Sequence, residues 1–220
     1  MARRPRLRHH GVEGSGSVTW VLIRASGLVA YGLLSGAAIW GLIVASGLLG
    51  RTASAKRLTY VHESLSVGSI VATVVHVVLL RLDDYVEFGW DEILLPGQSE
   101  WRPVAVSFGV LAFYGLVLIT ASFYVRRVIG QRSWRGLHYA SFGLWVAGAA
   151  HGLLSGTDRG TPLGVALYAA SGAAVIGLVM VRVVKLGEGR GRTERPRPGR
   201  DDRTSETTVV PGMQPVTDPE

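Results

Sequence analysis

Cysteine is missing from this chain of 220 residues. Its absence excludes disulfide bonds, iron–sulfur clusters held by thiolates and covalent attachment of a c-type haem. The sequence also lacks the Gly-rich strand–turn–helix fingerprint that binds nicotinamide dinucleotides. Any redox group must therefore be held non-covalently, by side chains other than cysteine.

The composition is that of a membrane protein. Hydrophobic residues make up 48% of the chain, 29 residues are glycine, and the mean hydropathy is +0.29. These values suit several closely packed membrane helices better than a soluble domain. The pI of 10.2 would suggest nucleic acid or anionic lipid as a partner. The basic residues lie mostly in tails and short loops, however, where membrane topology explains them. We therefore expect a lipid bilayer around the chain and no nucleic acid.

Five apolar segments are long enough to cross a bilayer, since a membrane helix needs about 20 residues. They cover about 18–49, 58–82, 104–125, 137–154 and 163–184. The sequence thus predicts an all-α membrane protein, a five-transmembrane-helix bundle over 18–185. No cleavable signal peptide is expected, because the first segment is too long and carries an arginine.

The segments outside the bundle are predicted from composition. Residues 1–17 form a basic N-terminal tail, and residues 186–220 read as a disordered C-terminal tail rich in Gly, Arg, Pro and Thr. The acidic and aromatic 83–102 loop is expected at the membrane interface. Its acids either attract cations, including ferric species, or form a solvated cap.

Orientation follows from the basic residues. With five spans, the 50–57 loop, the 126–135 loop and the C-terminal tail share one side, and their short loops are the more basic. The positive-inside rule places that side in the cytoplasm. Four arginines in the N-terminal tail argue against this assignment. The prediction is a multi-pass protein of the cell (plasma) membrane with its N-terminus outside.

Four histidines inside apolar segments are the candidate ligands. A histidine at bilayer depth is costly, and neutral imidazole is a common axial ligand of haem iron. His62 and His76 are fourteen residues apart, which places them about 21 Å apart along one helix and about 40° apart around it. His138 and His151 are thirteen apart, or about 140° around an ideal helix. Both can face one partner only if their helix is distorted or crosses obliquely.

Gly143 and Gly148 offer a place for that distortion. In the first helix, another glycine series is predicted to serve helix packing. It comprises Gly27, Gly32, Gly36 and Gly41.

The second to fourth segments resemble the ferric reductase-like transmembrane domain shared by ferric reductases and NADPH oxidases. The stretches YVHESLSVGSIVATVVHVVLLR and WRGLHYASFGLWVAGAAHGLLSGTD carry the resemblance, because that family has the same two histidine gaps on two parallel helices. The resemblance implies two haems b as cofactors. His62 would pair with His138 toward the cytoplasm, and His76 with His151 toward the outside.

Arginines near the two ends are candidate partners of the haem propionates. Arg24 lies inside the first helix on the predicted outer side. It is expected to pair with a propionate or to place a charge near an electron acceptor, as the resemblance to NADPH oxidases suggests; the alternative is an arginine that snorkels to the headgroups. Arg132, Arg135 and Arg57 are candidates on the inner side, where positive-inside anchoring explains them equally well.

These features predict a ferric reductase-like cytochrome b that relays electrons across the membrane as an oxidoreductase component. The flavin domain of the family is not found in the sequence, so a separate flavin/NAD(P)H reductase or quinol is expected as the donor. A ferric chelate or a periplasmic protein is expected as the outer-face acceptor. Leu80 stands where NADPH oxidases have a further histidine, so oxygen reduction is not expected.

Two alternatives remain open. The chain is a haem-bearing anchor that delivers electrons to a periplasmic oxidoreductase such as methionine sulfoxide reductase, or it is a haem-free membrane scaffold whose histidines only pack.

Overall fold

A computed structural model describes residues 15–50, 54–83 and 88–193. Most of the predicted N-terminal tail, the C-terminal tail from residue 194, and residues 51–53 and 84–87 lie outside the described residues. Within these ranges the chain is helical and contains no strand. Four of the described helices are long and apolar enough to cross a membrane, which indicates a multi-pass membrane protein. The all-α prediction is confirmed.

The helices follow one another with short connections. In chain order they are α1 Ser15–Ala45, α2 Ala55–Arg81, α3 Trp90–Leu94, α4 Pro103–Ile129, α5 Gln131–Tyr139, α6 Ser141–Ser155 and α7 Pro162–Thr193, with a 3-10 turn at Asp158–Gly160 before α7. Local sequence explains several of the starts. The Ser54 side chain accepts a hydrogen bond from the Arg57 N–H at the start of α2, and α4 and α7 begin at Pro103 and Pro162.

The fourth predicted span is the main difference from the expected architecture. Residues 137–154 do not form one helix, because the chain breaks at Ala140 between α5 and α6. Helix α6 has 15 residues and is about 22 Å long, which is shorter than a typical span. Among the described residues, four helices are therefore long and apolar enough to span a membrane and one segment is a broken helix, where five spans were predicted.

The ends of the bundle also differ from the predicted limits. Helix α1 ends at Ala45, and residues 46–50 form turns instead of its last turn of helix. Residues 186–193 of the predicted C-terminal tail are helical and belong to α7. The predicted interfacial loop contains the short helix α3.

Packing is organised around two helix pairs, α1 against α2 and α4 against α6, with α1 also touching α6 and α2 touching α4. Few large side chains are buried. Many valines of α2 are exposed, among them Val71, Val74, Val75 and Val78. An apolar surface of this kind is suited to lipid contact. The candidate site lies inside the bundle, where α2 and α4 meet α6.

Candidate functional site

Four histidines meet in two pairs between α2 and α5–α6. The imidazole centroids of His62 and His138 are 6.0 Å apart, with ring planes at 73°. The centroids of His76 and His151 are 6.5 Å apart, with ring planes at 80°. These are the partners that the family resemblance implies. Because the histidines pair in chain order, α2 and α5–α6 run in the same direction.

The break at Ala140 allows His138 and His151 to face the same helix. His138 belongs to α5 and His151 to α6, so the angle for one ideal helix does not apply. The Ala140 N–H donates to the Leu137 carbonyl at 3.0 Å, which is a tighter turn than the α-helical pattern. The expected distortion is present, but it precedes Gly143 rather than lying between the two glycines.

His76 lies in a gap created by Gly27 of α1. A Cβ atom added to Gly27 would be 3.2 Å from Cε1 of the His76 ring, closer than ordinary packing. Nδ1 of His76 is 2.9 Å from the carbonyl oxygen of Ile23, one helical turn before that glycine. The Ser26 hydroxyl lies at 3.4 Å from the same nitrogen. Since a carbonyl can only accept, Nδ1 carries the proton and Nε2 keeps its lone pair.

His151 is held in the same way by α4. A Cβ atom added to Gly109 would lie 2.7 Å from Nδ1 of His151, a distance that side chains do not tolerate. Nδ1 is 2.8 Å from the carbonyl oxygen of Ala105, again four residues before the glycine. Both members of this pair therefore present Nε2 as the free nitrogen.

His62 has the steric part of this arrangement without the complete hydrogen bond. A Cβ atom added to Gly41 would lie 3.2 Å from Cε1 of His62. The buried Nδ1 of His62, however, makes no hydrogen bond within ordinary geometric limits.

Two glycines of α1 have a spacing in the sequence that marks their contact with the histidines, whereas the sequence analysis predicted helix packing alone. Gly27 and Gly41 are fourteen residues apart, the same spacing as His62 and His76. Antiparallel helices with equal spacings bring each glycine opposite one histidine. Packing is the right interpretation for the other two members of the series, because Gly32 and Gly36 lie near leucine side chains of α7 and α2.

His138 is supported by an aromatic side chain from its own helix. The Trp134 ring stacks on it one turn earlier, with centroids 5.1 Å apart and planes at 21°. The indole N–H of Trp134 is buried without a hydrogen-bond partner.

Glu63, the neighbour of His62 on α2, accepts a hydrogen bond from the Tyr124 hydroxyl of α4.

A cavity of about 620 Å³ adjoins the His76–His151 pair. Its walls are mainly apolar and come from α1, α2, α4 and α6. Five charged residues also line it: one on α1, one that follows α2, one on α3 and two that follow α6. They are Arg24, Asp83, Glu92, Asp158 and Arg159.

Arg24 is paired with Asp158, which was not singled out from the sequence. The Arg24 Nε donates to Oδ2 of Asp158 at 2.7 Å, and Nη2 donates to Oδ1. These hydrogen bonds, with the positive charge behind them, hold the pKa of Asp158 below its usual value. The anion that Arg24 was expected to need is therefore supplied by the chain itself. A propionate contact at Arg24 stays a prediction.

The inner-side arginines occupy positions near the His62–His138 pair. Arg132 and Arg135 lie on α5, the helix that carries His138, and Arg57 lies in the first turn of α2. All three are exposed. Their placement fits both interpretations, propionate pairing and anchoring at a headgroup layer.

The described part of the 83–102 loop is folded around its acids. The Glu92 carboxylate accepts hydrogen bonds from the N–H groups of Gly89 and Glu100 at 3.0 and 3.1 Å. Phe88 packs edge-on against Trp101, with centroids 6.3 Å apart. Glu92 therefore has a structural role rather than belonging to a freely solvated cap.

No family model, curated protein or solved structure matches this chain. Throughout the described ranges, no cluster of three or more His, Cys, Asp or Glu side chains could hold a metal ion. Each histidine pair brings two imidazoles together.

Proposed function

We propose that this chain is a membrane cytochrome b, in which the two histidine pairs are the axial ligands of two haems b and electrons pass from one side of the bilayer to the other. The observation that carries the proposal is the double pairing at matched depth. His62 faces His138, and His76 faces His151, about 21 Å further along the same helix.

The spacing within each pair supports axial ligation. An imidazole nitrogen binds a metal ion at about 2 Å, so two imidazoles on opposite sides of one ion have ring centroids about 6 Å apart. The observed separations are 6.0 and 6.5 Å. Two protein ligands suffice for iron that a porphyrin already binds with its own four nitrogens.

The surroundings of the His76–His151 pair suit a large apolar group. The cavity volume of about 620 Å³ falls within the range of about 300–1,000 Å³ that small-molecule sites have. When bound, haem supplies a one-electron iron couple. The chain contributes imidazoles fixed as neutral Nε2 ligands, and an apolar wall that limits the access of water.

The parallel run of α2 and α5–α6 supports a fifth crossing. Since α2 is long enough to span a bilayer and the histidine pairs meet at both depths, α5–α6 covers the same depth as residues 62–76. A fifth crossing would put the two termini on opposite sides, and the basic 50–57 and 126–135 loops favour the cytoplasm for the side of the C-terminus. Electrons would then enter near His62–His138, from a separate flavin/NAD(P)H reductase or from quinol. They would leave near His76–His151, to a ferric chelate or a periplasmic protein.

A haem assay with histidine variants tests the proposal. Protein purified from haem-replete cells should show a b-type Soret band and two haems per chain by pyridine haemochrome. His76→Ala and His151→Ala should remove the same haem, and His62→Ala and His138→Ala should remove the other. The double variant His9→Ala/His10→Ala is the matched control and should keep both.

Redox titration identifies which haem each variant retains. If His76→Ala and His138→Ala lost the same midpoint, the parallel pairing would be wrong. A wild-type protein with no Soret band would reject the cytochrome proposal and favour the haem-free scaffold.

A further inference from the structure

Three of the four candidate ligands lie against glycines of neighbouring helices, and we propose that these glycines are positioning residues: all three fix the ring position of a histidine, and the two beside His76 and His151 also fix its tautomer. The inference rests on the proposed function and deepens it, because it names residues of this chain that prepare the ligands. The glycines are Gly27, Gly41 and Gly109.

The helix backbone explains why glycine is needed. Side chains of an α-helix tilt toward its N-terminus, so the side chain of each residue approaches the turn where the carbonyl four residues earlier lies. Because Gly27 has no side chain, an imidazole from a neighbouring helix can reach the carbonyl oxygen of Ile23. Gly109 makes the carbonyl oxygen of Ala105 accessible in the same way. One imidazole enters each opening, with Nδ1 at 2.9 and 2.8 Å from the carbonyl oxygen.

The chemical consequence is a fixed tautomer. A backbone carbonyl only accepts hydrogen bonds, so the imidazole must place its proton on Nδ1 and its lone pair on Nε2. The same hydrogen bond orients the ring and increases the basicity of the ligand nitrogen. The acceptor is a backbone carbonyl, which no side-chain substitution removes. A substitution at the glycine, which blocks access to that carbonyl, is therefore the direct test.

The three glycines divide between the two histidine pairs. Gly27 and Gly109 contact His76 and His151, which belong to one pair, whereas Gly41 contacts His62 of the other pair. The inference therefore assigns each glycine to one site. The steric conflict caused by an alanine also differs, since an added Cβ comes within 2.7 Å of the His151 ring but only within 3.2 Å of the other two rings.

Alanine substitutions followed by electron paramagnetic resonance test this assignment. The low-spin ferric signal of a bis-histidine haem responds to the angle between its two imidazole planes. Gly27→Ala and Gly109→Ala should shift or abolish the same signal, with haem content falling toward one per chain in the more severe variant. Gly41→Ala should alter the other signal.

Two glycines on the same helices provide matched controls. Gly32→Ala meets only a leucine methyl group at 4.0 Å and should leave both signals unchanged. Gly115→Ala would overlap the Leu144 side chain between α4 and α6, so it tests steric damage that is not directed at a histidine. If Gly115→Ala reproduced the selective effect of Gly109→Ala, or if Gly27→Ala and Gly109→Ala altered different signals, the inference would be overturned.

Histidine nitrogen resonances of the purified protein without bound haem give a second, independent result. The wild type should show His76 and His151 with the proton on Nδ1, and Gly27→Ala should weaken or remove the hydrogen bond of His76. This measurement needs no bound haem and no folded Gly109→Ala variant, so it separates failure of the inference from failure of the proposed function. An Nε2-protonated His76 in the wild type would refute the positioning role.

Discussion

The Arg24 guanidinium donates hydrogen bonds to both oxygens of the Asp158 carboxylate, with Nε 2.7 Å from Oδ2. The contact ties α1 to the turn that follows α6. The two side chains are 34% and 13% exposed, and both line the cavity beside His76 and His151. A compensated pair of charges therefore lies next to the proposed outer site, where the sequence predicted an arginine paired with a haem propionate.

Neutralising either member of this pair should move one midpoint potential in a known direction. Arg24→Gln removes a positive charge and should lower the potential of the His76–His151 site, because the oxidised iron carries more positive charge. Asp158→Asn should raise it. Each shift is expected on the order of tens of millivolts at this site only.

The double variant Arg24→Gln/Asp158→Asn and the charge-retaining Arg24→Lys are the controls in that redox titration. Both should return the potential close to that of the wild type. Equal shifts at both sites would show a global structural effect rather than a local charge.

The ion pair should also make the free energy of unfolding depend on pH under acidic conditions. The pKa of Asp158 is lowered by the hydrogen bonds from Arg24. The stabilisation that the ion pair adds to the free energy of unfolding is therefore fully present above the usual carboxyl pKa of about 4. It is lost as the pH falls through the lower value in the folded protein. Thermal unfolding in detergent should show Asp158→Asn less stable than the wild type at pH 7, with the difference decreasing as the pH falls below about 4. A difference that persists there would locate the effect elsewhere.

Trp134 should matter for the His62–His138 site alone. Its indole stacks on the His138 ring, so Trp134→Leu should shift or weaken that haem signal and leave the other unchanged. Trp134→Phe keeps an aromatic face and should retain most of the wild-type spectrum. A comparable loss in both variants would assign the role to volume or to the indole N–H instead of stacking.

The missing cysteines make the topology directly measurable. Ser133→Cys on α5 and Gly160→Cys after α6 each introduce a single thiol at an exposed position. If α5–α6 crosses the bilayer, an impermeant maleimide should label Gly160→Cys from outside intact cells and reach Ser133→Cys only after the membrane is opened. Labelling of both from the same side would show that the broken helix does not cross.

Hydropathy was sufficient to place the long helices, because lipid-facing segments are apolar on every side. It was not sufficient for α5–α6. Ala140 favours helix, and no proline marks the break, so the local sequence carries no signal that predicts this interruption. The spacing of His62 and His76 predicted one face of α2, whereas the partner of each came from the family resemblance.

Asp158 and Gly109 show the limit of sequence reasoning. Asp158 lies in a loop on the same predicted side as Arg24, but only the folded chain shows that the two meet. Gly109 has no regular spacing to a second glycine that would have linked it to His151. Gly27 and Gly41 did have such a signal in their shared interval with the histidines.

That shared interval also restricts which insertions and deletions the chain can accept. One residue inserted into α1 between Gly27 and Gly41 would rotate one end of the helix by about 100° relative to the other, so only one glycine could remain opposite its histidine. The same insertion in α2 between His62 and His76 would have the equivalent effect. A one-residue length change in either interval is therefore expected to leave only one of the two sites intact.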